Sequence, residues 1–210
     1  MSAPTSDVTQ FILVRHGQTG WNRQERFRGL ADIDLNEVGA KQAEAVSYRV
    51  MQWKVDAVYS SPLKRAVSTA QSIAGRFGLP VVTLDGIIDM NFGDWQGLTI
   101  EEVKNRYPEQ FDFWLNSPHR LEIPGGETLD EVRQRAVTAI NGLAKQHVGQ
   151  TIAMVTHRVV CKVLLLAFLG LDNSHFWQIA QDTTAVNAFE INKGEPTVTL
   201  INDTCHLKGL

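Results

Sequence analysis

The sequence predicts an α/β fold: a three-layer α/β/α sandwich around a mostly parallel central sheet. Short apolar runs rich in β-branched residues alternate with longer stretches in which apolar residues recur at helical spacing. Those longer stretches open on capping residues. There is no internal repeat, low-complexity tract or Pro/Gly-rich linker, so the 210 residues read as a single domain, 1–210.

The elements follow in order. Phe11-Ile12-Leu13-Val14 reads as a buried strand that stops at Arg15-His16-Gly17, where Gly17 permits a tight turn. Asn36 is placed to cap a helix running to about Trp53, with Val38, Ala45 and Val46 on its apolar side. Val55 to Tyr59 is the next strand. Ser61 as cap and Pro62 at the first helical position then start another helix. Val81 to Leu84 is a third strand. Thr99 with Glu102 and Thr128 with Glu131 form capping boxes, each opening a helix. In the second of these, Leu129, Val132, Ala136, Ile140 and Leu143 make a core stripe. Thr151 to Thr156 is a fourth strand ending at His157, followed by a helix to about Leu169. Thr184 to Asn202 supplies two more short strands.

Composition narrows the function classes. Hydrophobic residues make up 43% and charged residues 20%, as in an ordinary globular protein. A net charge of −3 argues against a general nucleic-acid or membrane-surface binder, so any anion site must be a local cluster of cations. The N-terminal MSAPTSDVTQ has no basic or apolar leader pattern, and the apolar run Val159 to Leu171, broken by Lys162, is too short to span a bilayer. A cytoplasmic location is the default expectation. Cys161 lies in an apolar stretch and reads as a buried reduced thiol, and no C-x-x-C pair is present. The histidines lack metal-ligand spacing, so no metal and no cofactor are expected.

Two positions share one pattern. One apolar strand ends in Arg15-His16-Gly17 and another in Thr156-His157-Arg158. Ligands of open α/β sheets sit beyond the carboxyl ends of strands, so both histidines can face one crevice.

Six ordered motifs carry a resemblance that spans nearly the whole chain. They are RHGQTGWN, RFRGLADIDLNEVGAKQA, SSPLKRAVSTA, IIDMNFGDWQGLT, PGGETLDEVRQR and AMVTHRVVCKVL. Together they resemble the histidine phosphatase superfamily, also called phosphoglycerate mutase-like. By that resemblance the ligand is a phosphate ester, and His16 is the nucleophile and forms a phosphohistidine. A neutral imidazole suits that attack on a dianion better than a carboxylate, because it adds no negative charge, and Arg15 and Arg65 supply planar donor forks for the phosphoryl oxygens. His157 belongs to the phosphate pocket, and Asn22 is a further phosphate-facing group. Asp89 matches the family's acid, which protonates the leaving oxygen. The family usually has glutamate there, so the reach of the shorter side chain is open, and Asp94 and Glu127 are alternatives. An ordinary aspartic acid titrates near about 3.9, so the role needs burial and a dianionic neighbour to hold the proton.

Three further departures stand out. Gln18 replaces a common glutamate. Arg28 replaces a common glutamine and is either a surface cation or an extra charge over the substrate. Arg158 replaces the usual glycine, and either blocks the crevice or contacts substrate. The C-terminal Thr204-Cys205-His206-Leu207 is similar to the tail of metal-independent phosphoserine phosphatases, which implies that His206 lies near the substrate. His119 is a weaker candidate, while His147 and His175 read as structural.

The expected partner is a small-molecule phosphate monoester: phosphoserine, 3-phosphoglycerate or a related phosphorylated acid. The alternatives are a phosphoglycerate mutase-type transferase and a regulatory module without catalysis. Mutases of the family carry a longer insertion before the second histidine than this chain has. Phe176 and Trp177 are candidates for a homodimer surface or for internal packing.

Overall fold

The structure, a computed structural model, describes residues 7–210. Of the polar stretch MSAPTSDVTQ, read above for the lack of a leader, the first six residues lie outside the described residues. The strands are β1 (Val8–Arg15), β2 (Ala57–Ser60), β3 (Val81–Thr83), β4 (Thr151–Thr156), β5 (Val186–Asn192) and β6 (Glu195–Asp203). They form one sheet in the order β3-β2-β4-β1-β5-β6. β3, β2, β4 and β1 run parallel, while β5 and β6 add an antiparallel edge. The expected mostly parallel α/β sandwich is therefore what the chain adopts.

The helices are α1 (Gly20–Arg23), α2 (Glu37–Val50), α3 (Lys64–Phe77), α4 (Ile100–Arg106), α5 (Pro108–Asn116), α6 (Leu129–Gln146) and α7 (Arg158–Phe168). The central strands β1 and β4 are buried along almost their whole length and feed two cores. On one side, Phe11, Leu13, Ile152 and Met154 join α6 and α7. On the other, Ile12, Val14, Ala153 and Val155 pack with α2 and α3. Alternate residues of one strand thus feed opposite layers, as the period of two requires. The α6 stripe is buried as expected, and both capping boxes form with reciprocal hydrogen bonds. No helix of the described residues is long and apolar enough to cross a membrane.

Two local expectations are corrected. Asn36 caps α2, but the buried side is Gln42, Ala43, Val46, Ser47 and Val50, and Val38 is exposed. The reading from Val38 misplaced the face, because α2 closes on the sheet partly through polar residues. Nor does Ser61 cap α3, which begins at Lys64 after Leu63. Ser61 continues the β2 path instead, its N–H donating to Val155 O at 2.9 Å. Phe176 is buried and Trp177 half-buried, so they pack internally against Trp114.

Gly17 matters for proximity rather than for a left-handed turn. A Cβ there would lie 2.6 Å from Gly39 O, and one on Gly39 would strike the Gln18 backbone. The loop after β1 therefore lies directly on the first turn of α2. Gly39→Ala is expected to lower stability by roughly 1–3 kcal/mol, whereas Gly75→Ala, with open space around its Cβ in α3, is expected to be neutral or stabilising. Urea denaturation of the two variants checks this, and equal effects would refute it.

Candidate active site

The sheet itself builds the site. Arg15 is paired with Thr156 across the parallel β1–β4 ladder, so His16 and His157 each sit one residue beyond a strand end. The His16 N–H donates to Thr156 O at 2.9 Å, which locks the two ends together. The two rings lie 5.1 Å apart between centroids, inclined at 58°, and both are fully buried.

The chemistry of His16 follows from its two nitrogens. Nδ1 is 2.7 Å from Gly17 O, and a carbonyl only accepts, so Nδ1 carries the proton. Nε2 is then an unprotonated lone pair, and it has no hydrogen-bond partner. Burial holds His16 well below the usual imidazole range, helped by His157, Arg65, Arg15 and Arg28. An imidazolium has no room among these cations, so the neutral ring is the stable form.

His157 is N-cap of α7 but makes no side-chain cap, which leaves its ring for the site. Its Nε2 is 2.7 Å from Ser61 Oγ, and its Nδ1 lies 3.4 Å from Asp89 Oδ2. Burial, with Arg65, Arg28 and Arg15 near by, also holds His157 well below its ordinary value. Nδ1 facing a carboxylate fits a ring with Nδ1–H and with Nε2 accepting from the Ser61 hydroxyl.

Asp89 is bound on three sides: Oδ1 accepts from Met90 N–H at 3.0 Å, and Oδ2 from Arg65 at 3.0 Å, beside His157. Arg65 is completely buried on α3. Its terminal nitrogens donate to Ala31 O, Gly29 O and Asp89, while Nε has no partner. Arg15 donates to Gln181 O at 2.6 Å and likewise keeps a free buried Nε, as does Arg28. Burial, with Arg28 and Arg158 near by, lowers Arg15 to about 9. Burial, with Arg65 and Arg158 near by, lowers Arg28 to about 10. The arginines that carry these unpaired donors lie close enough to the buried, neutral His16 to act on it electrostatically, an arrangement that can receive an anion.

A cavity of about 440 Å³ opens above this centre. Arg15, Asn22, Arg28, Asp89 and Arg158 line it, together with an aromatic wall. His16, His157 and Arg65 lie beneath that lining with no exposure. Asn22 uses its carbonyl oxygen to accept from Thr19, as part of the α1 cap.

The other candidates fall outside the cavity. Asp94 is exposed. Glu127 is taken up by Arg135 at 2.8 Å. His119 is exposed, and His147 bonds Tyr59 and Gln150. His206 is not in the cavity lining. Its Nε2 meets Thr184 Oγ1 at 3.2 Å, and the Thr184 N–H bonds His16 O at 3.3 Å, so the tail reaches the backbone behind His16. Among the described residues no group of His, Cys, Asp or Glu is arranged to hold a metal ion.

Sequence reasoning missed three residues. Ser61 was read as a helix cap, although it stands at the end of a strand beside β4, the placement that had singled out the histidines. Arg135 donates to Gly86 O, Ile88 O and Asp89 O, fixing the segment that carries the acid. Thr184 is buried with φ of 53°, a left-handed conformation that β-branched residues avoid. Nothing in the sequence signalled it.

Comparisons with known proteins agree with this geometry. The family model described as histidine phosphatase superfamily (branch 1) matches residues 11–204. The chain is 38% identical over 200 residues to phosphoserine phosphatase 1 of Hydrogenobacter thermophilus, with 95% of both chains covered. YhfR of Bacillus stearothermophilus superposes with a TM-score of 0.91 at 32% identity, over 95% of this chain and 99% of that one. Phosphoserine phosphatase of Entamoeba histolytica, solved with 3-phosphoglyceric acid, gives 0.85 at 31%, over 95% and 99%. With paired strand-end histidines, converging arginines and a family match over almost its whole length, this chain belongs to the histidine phosphatase superfamily, branch 1.

Proposed function

We propose that the chain is a metal-independent phosphomonoesterase that works through a phosphohistidine on His16. Its substrate is a small phosphorylated metabolite, with phosphorylated carboxylic acids such as phosphoserine first in line. The observation that carries this reading is the free, unprotonated Nε2 of His16 among guanidinium groups.

The reaction follows from the geometry. The phosphoryl oxygens take the free donors of Arg15 and Arg65 and the Nδ1–H of His157. Nε2 of His16 attacks phosphorus as the ester P–O bond breaks, and Asp89, having taken up a proton beside the bound phosphate dianion, gives it to the leaving oxygen. A water then attacks the N–P bond, with Asp89 taking the proton back. Nδ1–H on Gly17 O keeps Nε2 as the attacking atom throughout. The relatives' names favour phosphoserine as substrate, since the chain matches one phosphoserine phosphatase over 95% of its length. The mutase alternative has no observation of its own in the cavity.

His16→Ala should lose nearly all phosphate release and trap no phosphoenzyme, while the native chain works with chelator present. Loss of native activity in EDTA, restored by a divalent ion, refutes the metal-independent reading. Asp89→Asn should damage alkyl phosphates by about 10²–10⁴-fold and p-nitrophenyl phosphate far less, because that leaving group needs little protonation. Equal losses on both would give Asp89 a structural role.

Neutral burial of the two rings also sets a pH dependence of stability. Below the ordinary histidine value of 6.5 the unfolded chain takes up protons that the folded rings refuse. Stability should therefore fall with falling pH below that point, by up to about 1.4 kcal/mol per pH unit for each ring. Urea titrations at a series of pH values test this. His16→Ala should flatten the slope by one proton's share, and an unaltered slope would count against a neutral buried His16.

A further inference from the structure

The cavity holds more positive charge than one phosphate needs. Its lining carries Arg15, Arg26, Arg28 and Arg158 against only Glu25 and Asp89. Arg26 is engaged with Gly97 O and lies 3.6 Å from Glu102, and Asp89 is engaged with Arg65. Arg15, Arg28 and Arg158 have no carboxylate within ion-pair distance among the described residues. Asp182 acts on Arg158 electrostatically from beyond that distance, and its own carboxylate accepts from Asn202.

Arg158 differs in kind from Arg15. Arg15 is pinned by a backbone carbonyl next to His16, while Arg158 makes no hydrogen bond among the described residues and lies 5.3 Å above the Trp177 ring. That ring is itself fixed. Its Nε1 donates to Trp114 O at 2.6 Å, and Lys162 Nζ sits 4.4 Å from its centroid while bonding Phe176 O. Trp114, Phe176 and Trp177 pack edge to face or tilted at 5.0–5.3 Å and line the same cavity as Arg158, giving it a rigid apolar wall. A guanidinium laid on an aromatic face with its donors free is suited to a planar carboxylate.

We propose that Arg158, with Arg28, forms a second anion site that selects phosphate monoesters whose apolar, ring-sized body ends in a carboxylate. The phosphate sits at His16, the body lies along the Trp114–Trp177 wall, and the carboxylate takes Arg158. A cavity of about 440 Å³ falls within the range typical of ligand sites and accommodates such a body. This rests on the phosphatase reading and, among phosphorylated carboxylic acids, favours esters with a larger and more apolar body than phosphoserine.

The test compares phenyl phosphate with 3- and 4-carboxyphenyl phosphate, esters with leaving groups of similar basicity, by phosphate release from the full chain in chelator. The native protein should favour one carboxylated isomer by at least about 10-fold in kcat/KM, mainly through KM. Arg158→Met should bring that ratio to about 1–2, and Arg158→Lys should restore part of it. A purely structural role for Arg158 would lower all three substrates together and leave the ratio intact, which overturns the proposal. A native ratio near 1 for both isomers overturns it without any variant, while the phosphatase reading stands. Phosphate release from phosphoserine but from none of the three overturns the proposal and leaves the phosphatase reading standing, whereas release from none of the four sinks the phosphatase reading itself.

Discussion

Everything at this site depends on keeping one imidazole uncharged inside a ring of guanidinium groups. Burying cations without counter-ions costs several kcal/mol each. The fold reduces that cost for Arg65 with Asp89 and three oxygen acceptors in all, and for Arg15 with the carbonyl of Gln181. What stays uncompensated is a set of donors around Nε2 of His16. A protonated His16 would add one more positive charge to that set, and so, on the proposed mechanism, the arginines that would attract phosphate also keep the attacking imidazole neutral. Attraction of the substrate and activation of the attacking atom are thus one electrostatic arrangement.

Backbone, more than side chains, holds the arrangement in place. The Gly17–Gly39 contact seats the loop after β1 on α2, and Thr69 Oγ1 accepts the Gly17 N–H at 3.1 Å. Thr184 is held in a left-handed conformation costing of order 1–3 kcal/mol. Its N–H reaches the His16 carbonyl, and its hydroxyl is met by His206. The tail that carries His206 is anchored to α2 by Arg49 and Asp203 at 2.7 Å. On the acid side, Arg135 gathers three consecutive-loop carbonyls, including that of Asp89. Strain and close approach appear where the reacting groups must not drift.

Local pattern made the sheet and the strand-end histidines legible. β1 and β4 are continuous apolar runs because both faces are covered, and Arg15-His16 and Thr156-His157 end them at the same level. The capping boxes at Thr99 and Thr128 were legible because both partners lie within one turn. Ser61 was misread because Ser-Pro is also a good helix start, and only the neighbouring β4 shows that the strand path continues. Arg135, 46 residues beyond the carbonyl of Asp89 that it holds, gives no local signal. His206 was placed by resemblance at the substrate, whereas here its ring meets Thr184 and is not part of the cavity lining.

The arginines divide into two kinds. Arg15, Arg65 and Arg135 each donate to at least one backbone carbonyl at 3.1 Å or less, so their forks are fixed before any substrate arrives. Fixed donors suit the part of the reaction that never varies, the trigonal charge of a phosphoryl group in transit. Arg28 has one long contact of 3.4 Å to Arg26 O, and Arg158 has only an aromatic ring beneath it. Loosely held cations can follow a group whose position differs from ester to ester, at some entropic cost on binding. On the proposed mechanism, rigid cations beside His16 and adaptable ones along the aromatic wall would therefore separate the chemistry of phosphate transfer from recognition of what the phosphate is attached to.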